Sequence, residues 1–579
     1  MRIDPITTDR HETCCTPLPL HSAMASHLVV PTTWTPTGPD AARPVAARAD
    51  LVVLGRVATG VPGSAEAEGI AVAGGRIIAV GAAADLDALT TPDTQIVRAD
   101  DGVIAPGFIE PHMHIWTTML VEPYPDLSPF VHPTFDDVVA TIKHLVANTP
   151  AGGWVLGKLF DPSLYDGEPD LTTDILDRIA PDNPVFVFNA SMHYAYVNSK
   201  AFELAGITYD TPNPPGGTLG RADGKLTGVL SEGGAISLML PVMPRPTPQE
   251  GAATIRKILS DAAAAGITSV REAATGAVIG TGEVAMLHQL NGAARLPVRV
   301  STAQYALVGA QAWAEAGVTP FAGDDMVRAD AWKIVTDGSN QGRSGYFEQP
   351  YLNQNSGGHA NMTPEELDAL MAAGLDAGWQ LMVHANGDAA VEFALEGYER
   401  ALVGRAPTDL RHRMEHVSFA HDASFARMAA AGVSPSFLMN HVYFWGKVFR
   451  DRILGPERAD RLDMVATALR HGLRPSLHSD YNVTQMQPLL SAQTAVRRVL
   501  RNTDEVLNPA ECIDPQEALT AVTSNAAWQI HADDRGVLAA GSAADFTILS
   551  DNPWTADPAS WHTIEVRETR VAGEVTFSA

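Results

Sequence analysis

Ile104-Ala105-Pro106-Gly107-Phe108-Ile109-Glu110-Pro111-His112-Met113-His114 is an apolar run that ends in a His-x-His pair. In an extended strand, residues i and i+2 point to the same side. His112 and His114 therefore present two imidazoles to one point in space. Imidazole is the commonest side-chain metal ligand, so two converging rings at the end of a buried strand make half of a metal site. Taken alone, the pair reads more readily as two histidines in a surface loop. The chain downstream decides between the two.

From this pair onward, buried strands alternate with amphipathic helices, the pattern of a parallel sheet. Eight strand candidates are visible. The first ends at His114, and the next three are Ile267–Glu272, Val298–Thr302 and Ala331–Val335. Gln380–His384, Arg413–Val417, Val433–Leu438 and Arg474–Asp480 complete the set. Helices such as Pro364–Ala377 and Ala389–Leu402 lie between them. The expected fold is α/β, a (β/α)8 TIM barrel over residues 104–534. Between its first two strands lie roughly 150 residues, far beyond a normal crossover. This stretch has its own strand candidate at Val185–Asn189, a helix candidate at Ser199–Ala205 and a Pro/Gly-rich run from Thr211 to Gly220. Residues 116–255 are therefore expected to be an insertion that leaves from the catalytic mouth, as a lid or substrate-binding subdomain.

Both ends of the chain look alike. Ala47–Gly55 and Gly69–Gly81, with the hairpin signal Gly74-Gly75, are short strands. Asp545–Leu549 and Thr569–Phe577 are too. Neither end buries a core alone, so residues 47–103 and 535–579 are expected to form one small β-sandwich domain. Residues 1–46, rich in Pro, Thr and Ala, read as a flexible leader. Across 579 residues, 45% are hydrophobic and the formal net charge is -27, which disfavours nucleic acid or an anionic membrane as a partner. No run of about eighteen apolar residues suggests a membrane span, and the first residues do not resemble a secretory signal. The 3 cysteines, Cys14, Cys15 and Cys512, form no disulfide framework. A cytoplasmic location is expected.

Polar residues recur where the barrel strands should end: His112 and His114, Lys333, His384, His416 and Asp480. Barrel active sites are built at that end. Singly, each has an ordinary structural explanation: a snorkelling lysine, core histidines, a capping aspartate. Six at the same end of successive strands point to one site. Trp116 follows the first strand, Phe160 and Tyr165 lie in the insertion, and Tyr443 and Trp445 follow the seventh strand. If these rings line the mouth, the pocket suits an apolar or aromatic substituent. Plain core packing is the equal alternative.

Taken together, these motifs resemble the amidohydrolase superfamily. They are Pro106-Gly107-Phe108-Ile109 before His112-Met113-His114, Lys333 with Asp337-Gly338-Ser339, Val383-His384-Ala385-Asn386-Gly387-Asp388, Arg413-Met414-Glu415-His416, and Ser479-Asp480. More narrowly, with His193-Tyr194-Ala195-Tyr196-Val197-Asn198-Ser199 in the insertion, they resemble its YtcJ-like branch, which includes N-substituted formamide deformylases. Glu110 and Glu272 stand where that family usually has Asp. The resemblance implies a divalent metal centre, often Zn, of one or two ions. It assigns His112, His114 and Asp480 to one metal and His384 and His416 to a second. Lys333, carbamylated by CO2, would bridge them. Desolvation lowers a lysine's pKa, and only the neutral amine reacts with CO2. Mixed N/O ligation suits Zn.

The implied reaction is hydrolysis of a linear carbon–nitrogen amide bond, of N-deformylase or N-deacylase type, by metal-activated hydroxide. Asp480 would carry the proton, with His478 next in line, and His193 would polarise the carbonyl or grip the substrate. The expected partner is a small-molecule amide with an apolar or aromatic group, and a homodimer stays open. The alternatives are a cyclic amide, ester or lactone hydrolase, or a catalytically silent interaction protein. The silent reading is disfavoured because all six ligand positions hold suitable residue types.

Overall fold

The computed structural model describes residues 48–64, 67–214, 216–406 and 408–579. The leader expected over 1–46, with Cys14 and Cys15, lies outside the described residues. Eight parallel strands form the central sheet: Phe108–Met113, Ile267–Thr275, Arg299–Tyr305, Val327–Val335, Gln380–Ala385, Arg413–His416, Ser434–Phe437 and Ser476–Leu477, each paired to the next in chain order. Between the eighth strand and the first, a parallel bridge joins Met113 to Tyr481, and the His114 amide donates to the Tyr481 carbonyl at 2.8 Å. The expected (β/α)8 barrel is therefore present. Its strands read as near-continuous apolar runs because helices cover the outer face while side chains fill the inside. The eighth strand is shorter than expected, since Pro475 precedes it and the chain turns at Asp480 with φ +53°.

The His-x-His run does not belong to one strand. Gln95–Pro106 is part of a seven-stranded sheet, and the barrel begins at Phe108. Gly107 is the joint between them. A Cβ there would lie 2.2 Å from Thr268 Cγ2 and 2.3 Å from Thr268 Oγ1, so only glycine lets the two chains approach this closely. Both ends of the chain build the seven-stranded sheet. Leu51–Val57, Ala67–Ala73 and Arg76–Gly81 lie on one side of Gln95–Pro106, and Phe546–Leu549, Val566–Val571 and Glu574–Ser578 on the other. The Gly74-Gly75 turn, with φ +56° and +76°, joins two of these strands. All seven strands are hydrogen-bonded into one continuous sheet around an apolar core that includes Val53, Ile70, Ile104 and Phe546. Arg299 of the barrel pairs with Asp545 of this sheet through two bonds, at 2.6 and 2.9 Å.

Residues 124–244, with 360–363, form a separate compact unit. Its five-stranded sheet is ordered Val155–Phe160, Val185–Asn189, Tyr194–Val197, Lys225–Ser231, Thr218–Ala222. The strand Val185–Asn189 and the helix Ser199–Ala205 lie where the sequence predicts them. Asn198 caps that helix by accepting from the Ala201 amide at 3.0 Å, and Gly206 ends it at φ +67°. The unit is narrower than 116–255, because the helices Ile115–Val121 and Pro248–Ala264 pack together with the barrel body. Among the described residues, no helix is long and apolar enough to cross a membrane.

Candidate metal centre

Five of the six expected ligands converge. His112 Nε2 and His114 Nε2 lie 3.3 and 3.2 Å from the same oxygen, Asp480 Oδ1. Lys333 Nζ, from the fourth strand, approaches His112 Nε2 to 3.4 Å. The His416 ring, from the sixth, lies 4.9 Å from that of His112. Ligand atoms of His112, His416 and Asp480 all fall within 4.8 Å of one another. His416 and Asp480 hold left-handed backbone, at φ +68° and +53°. This conformation is uncommon for residues other than glycine, although Asp and His adopt it more readily than most, and it recurs at functional sites. The sixth, His384, packs its ring 4.5 Å from His416, but its Nε2 faces Asp337 Oδ1 at 3.2 Å and Asn386 Nδ2 at 3.1 Å.

Buried carboxyl groups hold these expected ligands in place. Glu110 accepts from the Ser479 hydroxyl at 2.7 Å and from its amide at 3.2 Å, which ties the first strand to the segment just before Asp480. Glu272 accepts from the Ile115 and Trp116 amides, the start of the helix that follows His114, and from the Ala274 amide at 2.8 Å. The two departures from the family's usual Asp thus serve to close the barrel and anchor the exit of the His-x-His strand. Glu415, which precedes His416, accepts from His112 Nδ1 at 2.6 Å and from Arg413 Nη2 at 2.8 Å.

Burial dominates the electrostatics. It lowers the pKa of His112 and His416 well below the usual histidine value, so both stay neutral, as ligation requires. Burial also pushes the Lys333 amine down to about 8 against the pull of Glu415 and Asp480, so a neutral amine is within reach near physiological pH. Burial alone would raise the Asp480 carboxyl. His114, His478 and Lys333 outweigh it and hold Asp480 well below the usual carboxylate range.

These residues fit a divalent cation. His416 Nδ1 is buried without a hydrogen-bond partner, although buried polar atoms are ordinarily paired, and Asp480 Oδ1 faces two imidazole nitrogens at once. An anionic oxygen aimed between two imidazole lone pairs is stable when a cation sits among them. Three imidazoles and a carboxylate are the donor set that zinc takes.

Other expected site residues lie elsewhere. His193 is in the five-stranded unit, where Nδ1 donates to Glu232 Oε2 at 2.7 Å. Phe160 is in the apolar core of that unit, its ring 5.9 Å from that of Tyr165. Trp116 and Trp445 are fully buried, and Tyr443 is half-buried beside Phe444. Two further histidines stand out. His478, two residues before Asp480, stacks on His112 at 4.6 Å, and His441 follows the seventh strand. Both are buried, and neither has a hydrogen-bond partner on either ring nitrogen. The position of His441 just past a strand end was a sequence signal that the neighbouring aromatic residues obscured.

Fold and site together define an enzyme of the metal-dependent hydrolase class. The family model described as "Amidohydrolase family" matches residues 95–577. The chain belongs to the amidohydrolase family. It is 28% identical to the YtcJ protein of Bacillus subtilis (strain 168), over 84% of this chain and 91% of that one. It is 27% identical to the N-substituted formamide deformylase of Arthrobacter pascens, over 88% of this chain and 95% of that one. Among solved structures, it resembles an uncharacterized metal-dependent hydrolase from Pyrococcus horikoshii OT3 with a TM-score of 0.68 at 20% identity, covering 88% of this chain and 99% of that one.

Proposed function

We propose that the protein hydrolyses the linear amide bond of a small molecule, as an N-deformylase or N-deacylase. The observation that carries this reading is the approach of His112 and His114 to the same oxygen of Asp480, at 3.3 and 3.2 Å. The similarity to a formamide deformylase along most of both chains supports the acyclic amide over a ring. His112, His114 and Asp480 would hold one divalent metal, zinc by donor type. His416, with His384, would hold a second, and Lys333 as a carbamate would lie between them. When bound, the metal supplies Lewis acidity and lowers the pKa of water to near neutrality. Asp480, kept ionised by its neighbours, takes a proton from the attacking water and passes it to the leaving nitrogen. His193 would polarise the carbonyl or grip the substrate. The half-buried Tyr443 is the aromatic candidate for contact with an apolar substituent.

The test is a panel of N-formyl, N-acetyl and N-aryl amides, with cyclic amides, esters and lactones as competitors and released amine as the readout. Turnover is expected for the linear amides. Turnover confined to the cyclic or ester substrates would replace this reading with the alternative chemistry.

A further inference from the structure

Within the proposed metal reading, Glu415 is a buried carboxylate that is not itself assigned as a ligand. We propose that Glu415, held by Arg413, is the positioning residue that fixes the tautomer of His112 and thereby sets the affinity of the metal centre. Both side chains are sealed from solvent, and Glu415 Oε2 takes His112 Nδ1 at 2.6 Å and Arg413 Nη2 at 2.8 Å. A neutral imidazole carries one proton, and a carboxylate only accepts. The proton is therefore pinned on Nδ1. Nε2 is left as a lone pair, facing Asp480 Oδ1 at 3.3 Å and Lys333 Nζ at 3.4 Å. A ligating imidazole needs that form, and its outer partner orients the ring.

A plain structural ion pair would look different. Arginine and a carboxylate ordinarily pair through two parallel bonds. Here one oxygen serves both neighbours, while Glu415 Oε1, Arg413 Nε and Arg413 Nη1 are buried without partners. The carboxylate is thus turned toward His112 at the expense of its pairing with arginine. Arg413 Nη2 also donates to the Pro111 carbonyl at 3.2 Å, so the guanidinium grips the first strand one residue before the ligand. Ligand atoms of Glu415, His112 and His478 also lie within 4.8 Å of one another. A second cation there would have to displace the Nδ1–H and sit beside the guanidinium, so charge argues against it.

The test is Zn2+ affinity of the full-length protein, by competition with a chromophoric chelator, for wild type and Glu415→Gln. An amide in this place offers either its oxygen or its NH2 to Nδ1, and the NH2 moves the imidazole proton to Nε2. Affinity is expected to fall by ~10–100-fold, the usual cost of losing an outer-shell partner. The visible spectrum of the Co2+-loaded variant is expected to shift as His112 leaves the ligand field. Unchanged affinity and an unchanged Co2+ spectrum in the folded variant would overturn the proposal. Should Glu415→Gln not fold, Glu415→Asp withdraws the carboxylate by one methylene. It is expected to weaken Zn2+ at least several-fold, and equal affinity overturns the proposal there too. Wild-type protein that binds no Zn2+ would remove this inference along with the metal reading. Tight Zn2+ binding without amide turnover would remove only the proposed substrate.

Discussion

Lys333 Nζ lies 3.4 Å from His112 Nε2, and both side chains are buried inside the barrel. An amine in this setting, with its pKa pushed down to about 8 by burial, has within reach the neutral form that the proposed reaction with CO2 requires. Crystals of metal-loaded protein grown with bicarbonate are expected to show a carboxylate on Nζ. A bare ammonium in a fully metal-loaded crystal would remove Lys333 from the ligand set.

Asp480→Asn keeps the shape of the side chain and one acceptor oxygen but cannot carry a proton. The variant is expected to fold and to retain much of its metal. Its kcat should fall by at least about 100-fold, the low end of general acid–base contributions. KM should change less, because the lost interaction is made mainly in the transition state. A near-normal kcat in metal-replete variant protein would assign the proton to another group, His193 or His478.

All eight barrel strands were legible in the sequence because each is buried on both faces and bounded by polar turns. The helix Pro364–Ala377 has the bounds its amphipathic period implies. The meeting of His112, His114, Lys333, His416 and Asp480 was legible because strand ends of a barrel must meet at one rim. What was hidden depends on contacts between distant strands. The bond from His112 to Glu415 crosses 303 positions, and no local pattern marks it. The break at Gly107 was hidden because an apolar run reads alike whether it fills one strand or passes from one sheet to another. The setting of His384 Nε2 was hidden because Asp337, Gly338 and Asn386 approach it from loops with no period to read.

The joint at Gly107 gives a stability prediction. Gly107→Ala places a methyl group 2.2 Å from Thr268 Cγ2, on a β-branched side chain that has little room to turn. The variant is expected to lose about 1–3 kcal/mol, the range for overpacking, read as a lower Tm by calorimetry. An unchanged Tm would mean that the two strands separate freely there.

His412 gives the pH dependence. It is buried, its Nδ1 accepts from the Leu381 amide at 3.0 Å, and burial pushes its pKa down from 6.5 to about 4. Between these values the unfolded chain binds the proton more tightly than the fold does. The contribution to stability is therefore full above pH 6.5 and lost as pH falls through about 4. It is on the order of 3 kcal/mol at its fullest. His412→Asn keeps an acceptor for the Leu381 amide but does not titrate in this range. The drop in Tm from pH 7 to pH 5 is expected to be smaller in the variant than in wild type. Equal drops would mean that His412 is not held neutral by the fold.

The most direct measurement is elemental analysis of purified protein alongside hydrolase activity, for wild type and His112→Ala. Wild type is expected to carry one to two equivalents of divalent metal per chain. His112→Ala is expected to lose most of that metal, and the activity with it. Metal-free wild-type protein with full hydrolase activity would contradict the metal centre at His112, His114 and Asp480.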